Sequence, residues 1–232
     1  ALHLFPAVRC ERPRGVVFCP PFAEEMNKSR RTVRLAAAAI AAAGHEVLVV
    51  DPHGTGDSAG EFADADWSLW QSEIALGARW LREERGIADT VFWGLRTGAA
   101  LAVDAAAAEG AERLLLWQPV VNGKLFATQF LRMRMAADMM SGGDAGSSTD
   151  ELRGLLGQGR SLEIGGYLLT PALFRALEEI DLLRSPPTIP VHWVELVAAE
   201  GRSFTAPSRR VIEVWEGAGT WIEHAKAVGP SC

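Results

Sequence analysis

Short, nearly continuous apolar runs recur along this chain. Between them lie longer stretches in which apolar positions fall three or four residues apart. The short runs predict strands over Gly15–Cys19, Glu46–Asp51, Thr90–Gly94, Arg113–Gln118 and Val191–Val197. Each is apolar almost throughout, as a strand covered on both faces should be. A sixth run, Thr220–Val228, is more polar and alternates, so it belongs at a sheet edge. The longer stretches predict helices. Lys28–Ala43 is alanine-rich and stops at Gly44, a C-terminal signal. After Asp66, the residues Trp67, Trp70, Ile74, Ala78 and Leu81 line one helical face. Thr97–Ala108 is built of small residues, and Pro207–Gly217 has Pro near its start and Gly at its end. Alternating strands and helices predict an α/β fold, a mostly parallel sheet with helices on both faces.

Residues 122–185 break that rhythm. "LFATQFLRMRM" is amphipathic, "SGGDAGSS" is a gap, Ser148 and Glu151 have capping-box spacing, and Thr170–Pro171 suits a helix start. The expectation is one domain, 1–232, with 122–185 a helical insertion after the fourth strand. That insertion is either a lid over a cleft or an added helical layer.

Composition narrows the function classes. Of 232 residues 48% are hydrophobic and 22% charged, and the formal charge is −6. No basic surplus exists to neutralise phosphates, so nucleic acid is not an expected partner. The apolar runs are too short for a membrane span. Cys10, Cys19 and Cys232 lack metal-ligand spacing and cannot all pair within one chain, which fits a reducing cytoplasm. No signal peptide is visible at the start, which also lacks an initiator Met. No cofactor motif is found: the glycines match neither a P-loop nor a dinucleotide fingerprint.

The candidate chemistry centres on "TVFWGLRTGAAL", Thr90–Leu101. A strand, a tight turn bounded by Gly94 and Gly98, and a small-residue helix are the parts of a nucleophile elbow, which lifts a serine above the sheet in α/β-hydrolases. Here the central residue is Arg96. A guanidinium stays protonated and offers only donors, so it cannot attack a carbonyl. At a helix N-terminus it makes either an anion site or an internal ion pair with an Asp or Glu. Thr97 is a displaced nucleophile or, more simply, the helix N-cap.

Two loops flank the expected cleft. "CPPFAEEMNKSRR" follows the first strand, where this class of fold carries an oxyanion loop, and it supplies Phe22, Glu24, Glu25, Asn27 and Lys28. "DPHGTGDSAGEF" follows the second strand and holds His53, Asp57 and Ser58 on a glycine-rich turn. Gln118 ends the fourth strand. A general-base histidine belongs after the last strand, but that segment reads "GPSC". His3, His45, His192 and His224 lie outside or within strand runs, and Glu195 and Glu200 are acids without a histidine to orient. Any hydrolysis would need a water activated by His53 or one of the acids. The catalytic candidates are therefore Arg96, His53 and Ser58.

The stretches "PPFAEEMNKSRR", "HGTGDSAGEFADADW", "WGLRTGAALA", "LWQPVVNGKLFATQFLRMR", "LEIGGYLLTPAL" and "VHWVEL" together resemble the exosortase A system-associated hydrolase 2 family of the α/β-hydrolase superfamily. The resemblance spans about Leu4 to Pro230. It implies an α/β-hydrolase fold and a genomic setting among exopolysaccharide and exosortase genes of Gram-negative bacteria. It also implies that Arg at the elbow is a family trait. The family's aromatic "GPPFW"-like tail is replaced here by "GPSC". The expected ligand is an anionic or acylated small molecule. Three roles follow: an enzyme with a non-serine site, a non-catalytic binding protein, or a partner-binding protein using the "QFLRMRM" helix.

Overall fold

A computed structural model describes residues 1–140, 148–197 and 199–228. Its main sheet holds β1 (Leu2–Leu4), β2 (Gly15–Cys19), β3 (Glu46–Val49), β4 (Thr90–Leu95), β5 (Arg113–Trp117), β8 (Val191–Val197) and β9 (Ile222–Val228), in the order β1-β3-β2-β4-β5-β8-β9. Every neighbouring pair is parallel except β1 with β3. The intervening helices are α1 (Glu24–Ala42), α2 (Trp67–Glu83), α3 (Gly98–Glu109) and α7 (Ala206–Gly217).

The unbroken apolar runs are explained by burial on two faces. Val17, Cys19, Phe92, Leu114 and Leu116 pack under α2, α3 and α7, while Val16, Phe18, Val91 and Trp93 pack with Val33 and Ala37 of α1. Alternate residues of one strand thus enter different cores. Burying an apolar side chain of this size contributes about 1.5–3 kcal/mol relative to exposure. The most polar run forms β9, which is the outermost strand and largely exposed.

Two expectations need correction. Helix α1 starts at Glu24 rather than Lys28, because Glu24 and Glu25 form its first turn, where carboxylates suit the positive end of the helix dipole. Residues 122–185 are not helical throughout. Between α4 (Gly123–Met140) and α5 (Thr149–Gly157) on one side and α6 (Pro171–Glu179) on the other lies a hairpin, β6 (Leu162–Ile164) with β7 (Tyr167–Leu169). Its turn is Gly165–Gly166, both at positive φ, 58° and 87°, the conformation two-residue hairpin turns demand. Helix α4 buries Phe126, Ala127, Phe130 and Leu131, so the "QFLRMRM" stripe is half core. The proposed gap falls mostly on 141–147, and Cys232 and the "GPSC" tail on 229–232, outside the described residues. No helix among the described residues is long and apolar enough to cross a membrane.

Candidate functional site

The loops after β2, β4 and β5 meet at one edge of the sheet. Among the described residues only three non-glycine residues hold positive φ, and each lies at one of these strand ends: Ala23 at 51°, Arg96 at 55° and Gln118 at 44°. Such conformations strain an L-residue and cluster where structure holds a side chain in place. The turn around Arg96 depends on its two glycines. A Cβ on Gly94 would lie 2.5 Å from Ala99 Cα, and one on Gly98 would lie 2.1 Å from the Cys19 carbonyl oxygen. Helix α3 can therefore start against the end of β2 only because Gly98 has no side chain. Arg96 N–H donates to Trp117 O at 3.0 Å, and Arg96 O accepts from Ala99 and Val120, both at 3.1 Å. Residue 96 stands at a strand-to-helix corner, the place of an elbow nucleophile.

Solved structures share this overall fold. Est1E from Butyrivibrio proteoclasticus, solved with ferulic acid bound, aligns with a TM-score of 0.70 at 17% identity, over 98% of this chain and 84% of its own. A highly thermostable carboxyl esterase from Bacillus coagulans, in complex with glycerol, gives 0.62 at 14% identity over 98% and 84%. XC6422 from Xanthomonas campestris, an α/β serine hydrolase without a lid, gives 0.54 at 16% identity over 97% and 76%. The chain has the α/β-hydrolase fold. No protein-family model matches it, and no curated protein is similar enough to match.

Within this α/β-hydrolase frame, the Arg96 side chain turns toward the loop after β2. Its Nε donates to Glu25 Oε1 at 3.0 Å, and its Nη1 donates to the Gln118 carbonyl at 3.3 Å. Both members of the pair are about three-quarters covered, with side-chain exposures of 29% and 25%. Burial raises the Glu25 carboxyl above its ordinary pKa, and the Arg96 charge opposes that rise without cancelling it. Glu25 Oε2 is buried without a hydrogen-bond partner.

The other predicted site residues have defined places. Phe22 is buried among aromatic rings, with centroids 5.1 Å from Phe130, 5.5 Å from Phe62 and 6.1 Å from Phe126. Asn27 donates to Tyr167 Oη at 2.9 Å and so ties α1 to the β6–β7 hairpin. Glu24 and Lys28 form a long pair, 3.9 Å apart, on the surface of α1. Gln118 is occupied: its N–H donates to Val194 O and its Oε1 accepts from Leu196 N, both at 2.7 Å. Thr97 is buried, and its hydroxyl caps nothing, because its backbone is already helical (φ −64°, ψ −28°) rather than extended as a capping residue needs.

The loop after β3 closes on itself. Ser58 Oγ donates to the Asp51 carbonyl, Asp57 N–H donates to Asp51 Oδ2 at 3.2 Å, and His53 N–H donates to Glu73 Oε2 at 2.8 Å. The structure records no hydrogen bond from His53 or Ser58 to Arg96 or Thr97 among the described residues. The remaining histidines also have partners elsewhere. His3 pairs with Glu46, His45 accepts from Arg14 N–H, His192 pairs with Glu223, and His224 packs edge-on to Phe204. Glu195 is buried and accepts from Trp193 Nε1 at 3.0 Å, so it serves the core. Burial drives the Cys19 thiol far above its ordinary pKa, which removes it as a nucleophile.

Two hollows lie away from the elbow. One, of about 340 Å³, opens between α2, α3 and α6 beside Trp67, Asp104 and Asp181. An open groove of about 390 Å³ runs between His3–Ala7 and α1. Neither is lined by Arg96 or Glu25. Tyr167 was absent from the predicted site, and the signal for it was the Gly-Gly pair between two apolar triplets in "LEIGGYLL".

Proposed function

We propose that this chain is a hydrolase-fold protein that has exchanged serine chemistry for anion recognition. Its ligand is a small anionic or acylated molecule, bound at Arg96 beside the start of α3. One observation carries this reading: a permanent cation occupies the elbow position in the strained conformation the elbow requires, φ 55°. The flanking oxyanion-loop position is filled by Glu25, an acid that already answers that cation. Such a pair holds an anion-binding group in place and charge-balanced until a ligand competes for it. The insertion above the sheet, residues 122–185, is part of the same reading as a roof, joined to α1 through Asn27 and Tyr167. The resemblance to exosortase A system-associated hydrolases supports a role in exopolysaccharide-linked metabolism, and the cysteine usage supports a reducing, cytoplasmic setting.

The Arg96–Glu25 pair also favours a second reading, a protein that keeps the frame only for binding and does no chemistry. Both readings share the anion site and predict the same ligand-binding experiment. Thermal unfolding of the wild type should shift upward with acetate, benzoate or phosphate, by the stabilisation any ligand of the native state provides. Arg96→Ala, compared with its own ligand-free transition, should lose that shift. An unchanged shift in Arg96→Ala would place the anion elsewhere.

A further inference from the structure

One polar atom of the site is unaccounted for. Glu25 Oε2 is buried and has no hydrogen-bond partner, while Oε1 of the same carboxylate takes Arg96 Nε at 3.0 Å. An arginine–carboxylate pair that satisfies itself uses both oxygens against two guanidinium nitrogens. This one does not: Nε takes Oε1, Nη1 takes the Gln118 carbonyl, and Nη2, the nitrogen that would complete a side-on pair with the carboxylate, is in neither bond. An acceptor without a donor and a donor group with capacity left therefore stand side by side. A buried acceptor left unmet is costly, so the site is suited to a group that brings its own O–H.

We propose that a ligand carboxyl group docks between Arg96 and Glu25 Oε2, and that it takes up one proton, shared between the two carboxyl groups, as it binds. The inference rests on the anion-site reading above and specifies its ligand class. A neutral carboxyl group presents one O–H and one C=O. The O–H donates to Glu25 Oε2 and the C=O accepts from the guanidinium. The arrangement is equivalent with the proton on Glu25 and the ligand ionised. Without the proton, two carboxylates would repel each other across a single guanidinium.

The groups that face Glu25 are Arg96 from the elbow and Glu24 and Lys28 from its own helix. The Gln118 carbonyl on the far side of Arg96 is neutral, and no histidine contacts the pair among the described residues. Burial already favours the protonated form of Glu25. Sulfate, which carries no proton near neutral pH, cannot donate to Oε2 and should bind more weakly than a carboxylate.

Calorimetric titration of the full chain with benzoate and with sulfate, in two buffers of different ionisation heat, counts the protons. Benzoate binding should take up about one proton, and its affinity should fall as pH rises, by at most about tenfold per pH unit. Glu25→Gln keeps the side-chain shape and loses the titrating group. It should bind benzoate without proton uptake and with a flat pH profile. The wild-type measurement stands without the variant should the latter fold poorly. Benzoate binding with no proton uptake, or uptake that persists in Glu25→Gln, would overturn the inference while leaving the anion site intact. If neither ion binds the wild type at any pH, the anion-site reading fails and the inference with it.

Discussion

Residue 96 shows how neighbours can hold a strained backbone turn whatever side chain it carries. Arg96 holds φ at 55°, a conformation that costs a non-glycine residue of order 1–3 kcal/mol. The turn that imposes it is fixed by neighbours with no alternative. Gly98 approaches the Cys19 and Pro20 carbonyls so closely that a Cβ would sit 2.1 and 2.6 Å from their oxygens. These contacts are with backbone, which cannot swing aside. Gly98→Ala is therefore expected to destabilise the protein by at least about 2 kcal/mol, through forced separation of α3 from β2. Gly154, inside α5 (Thr149–Gly157), meets nothing within 4 Å of an added Cβ. Gly154→Ala should stabilise by about 0.5–1 kcal/mol, the ordinary cost of glycine in a helix. Urea denaturation of both variants checks the contrast; equal effects would show that the close approach at Gly98 is not what builds the elbow.

At the scale of elements, the sequence was most legible where one physical rule acted alone. The β2 and β8 spans agree with their apolar runs to the residue; β2 is buried at every position, and in β8 the alternate residues Val191, Trp193 and Val197 are buried along with Glu195. The elbow was legible for the same reason: two glycines at fixed spacing between a strand and a helix have few other uses. Strand β1 (Leu2–Leu4) was not read, since three residues pairing antiparallel at an edge carry no pattern of their own and depend on β3. The β6–β7 hairpin was hidden among helical pieces, though its Gly-Gly turn was present in the sequence. At the site, Arg96 could be assigned either to a ligand or to an internal acid. No spacing rule links positions 25 and 96, which only the β2–β4 pairing and the backbone at Ala23 bring together. The free oxygen of Glu25 is likewise a matter of orientation, which sequence does not encode locally.

At the scale of the molecule, charge is concentrated at the opposite end of the sheet from Arg96. Glu46 opens β3 in the core, with its side chain 1% exposed, and receives His3, Arg9 and Arg85. Burial alone would raise its pKa, but hydrogen bonds from Arg85, Arg9 and His3 outweigh it and hold the group at about 2, against an ordinary 4.5. Glu112 is held at about 2 by Arg14 first and Arg113 after it, against some burial. For a depressed carboxyl the sign is fixed: the stabilisation is complete above 4.5 and is lost as pH falls from there toward 2, because the unfolded chain binds the proton first. Thermal unfolding should therefore weaken steeply across that window. Glu46→Gln should start less stable and show a shallower acid slope, whereas an unchanged slope would mean that Glu46 is not the group being titrated.

The account as a whole stands on an α/β-hydrolase fold whose strand-to-helix corner after β4 carries a permanent cation, Arg96. The most direct measurement is intact-mass analysis after treatment with a fluorophosphonate probe, which forms a covalent adduct with an activated serine or threonine. This chain should keep its unmodified mass, with Ser58 tied to the Asp51 carbonyl and Thr97 buried without a base. A stoichiometric adduct mapped to Ser58 or Thr97 would contradict it.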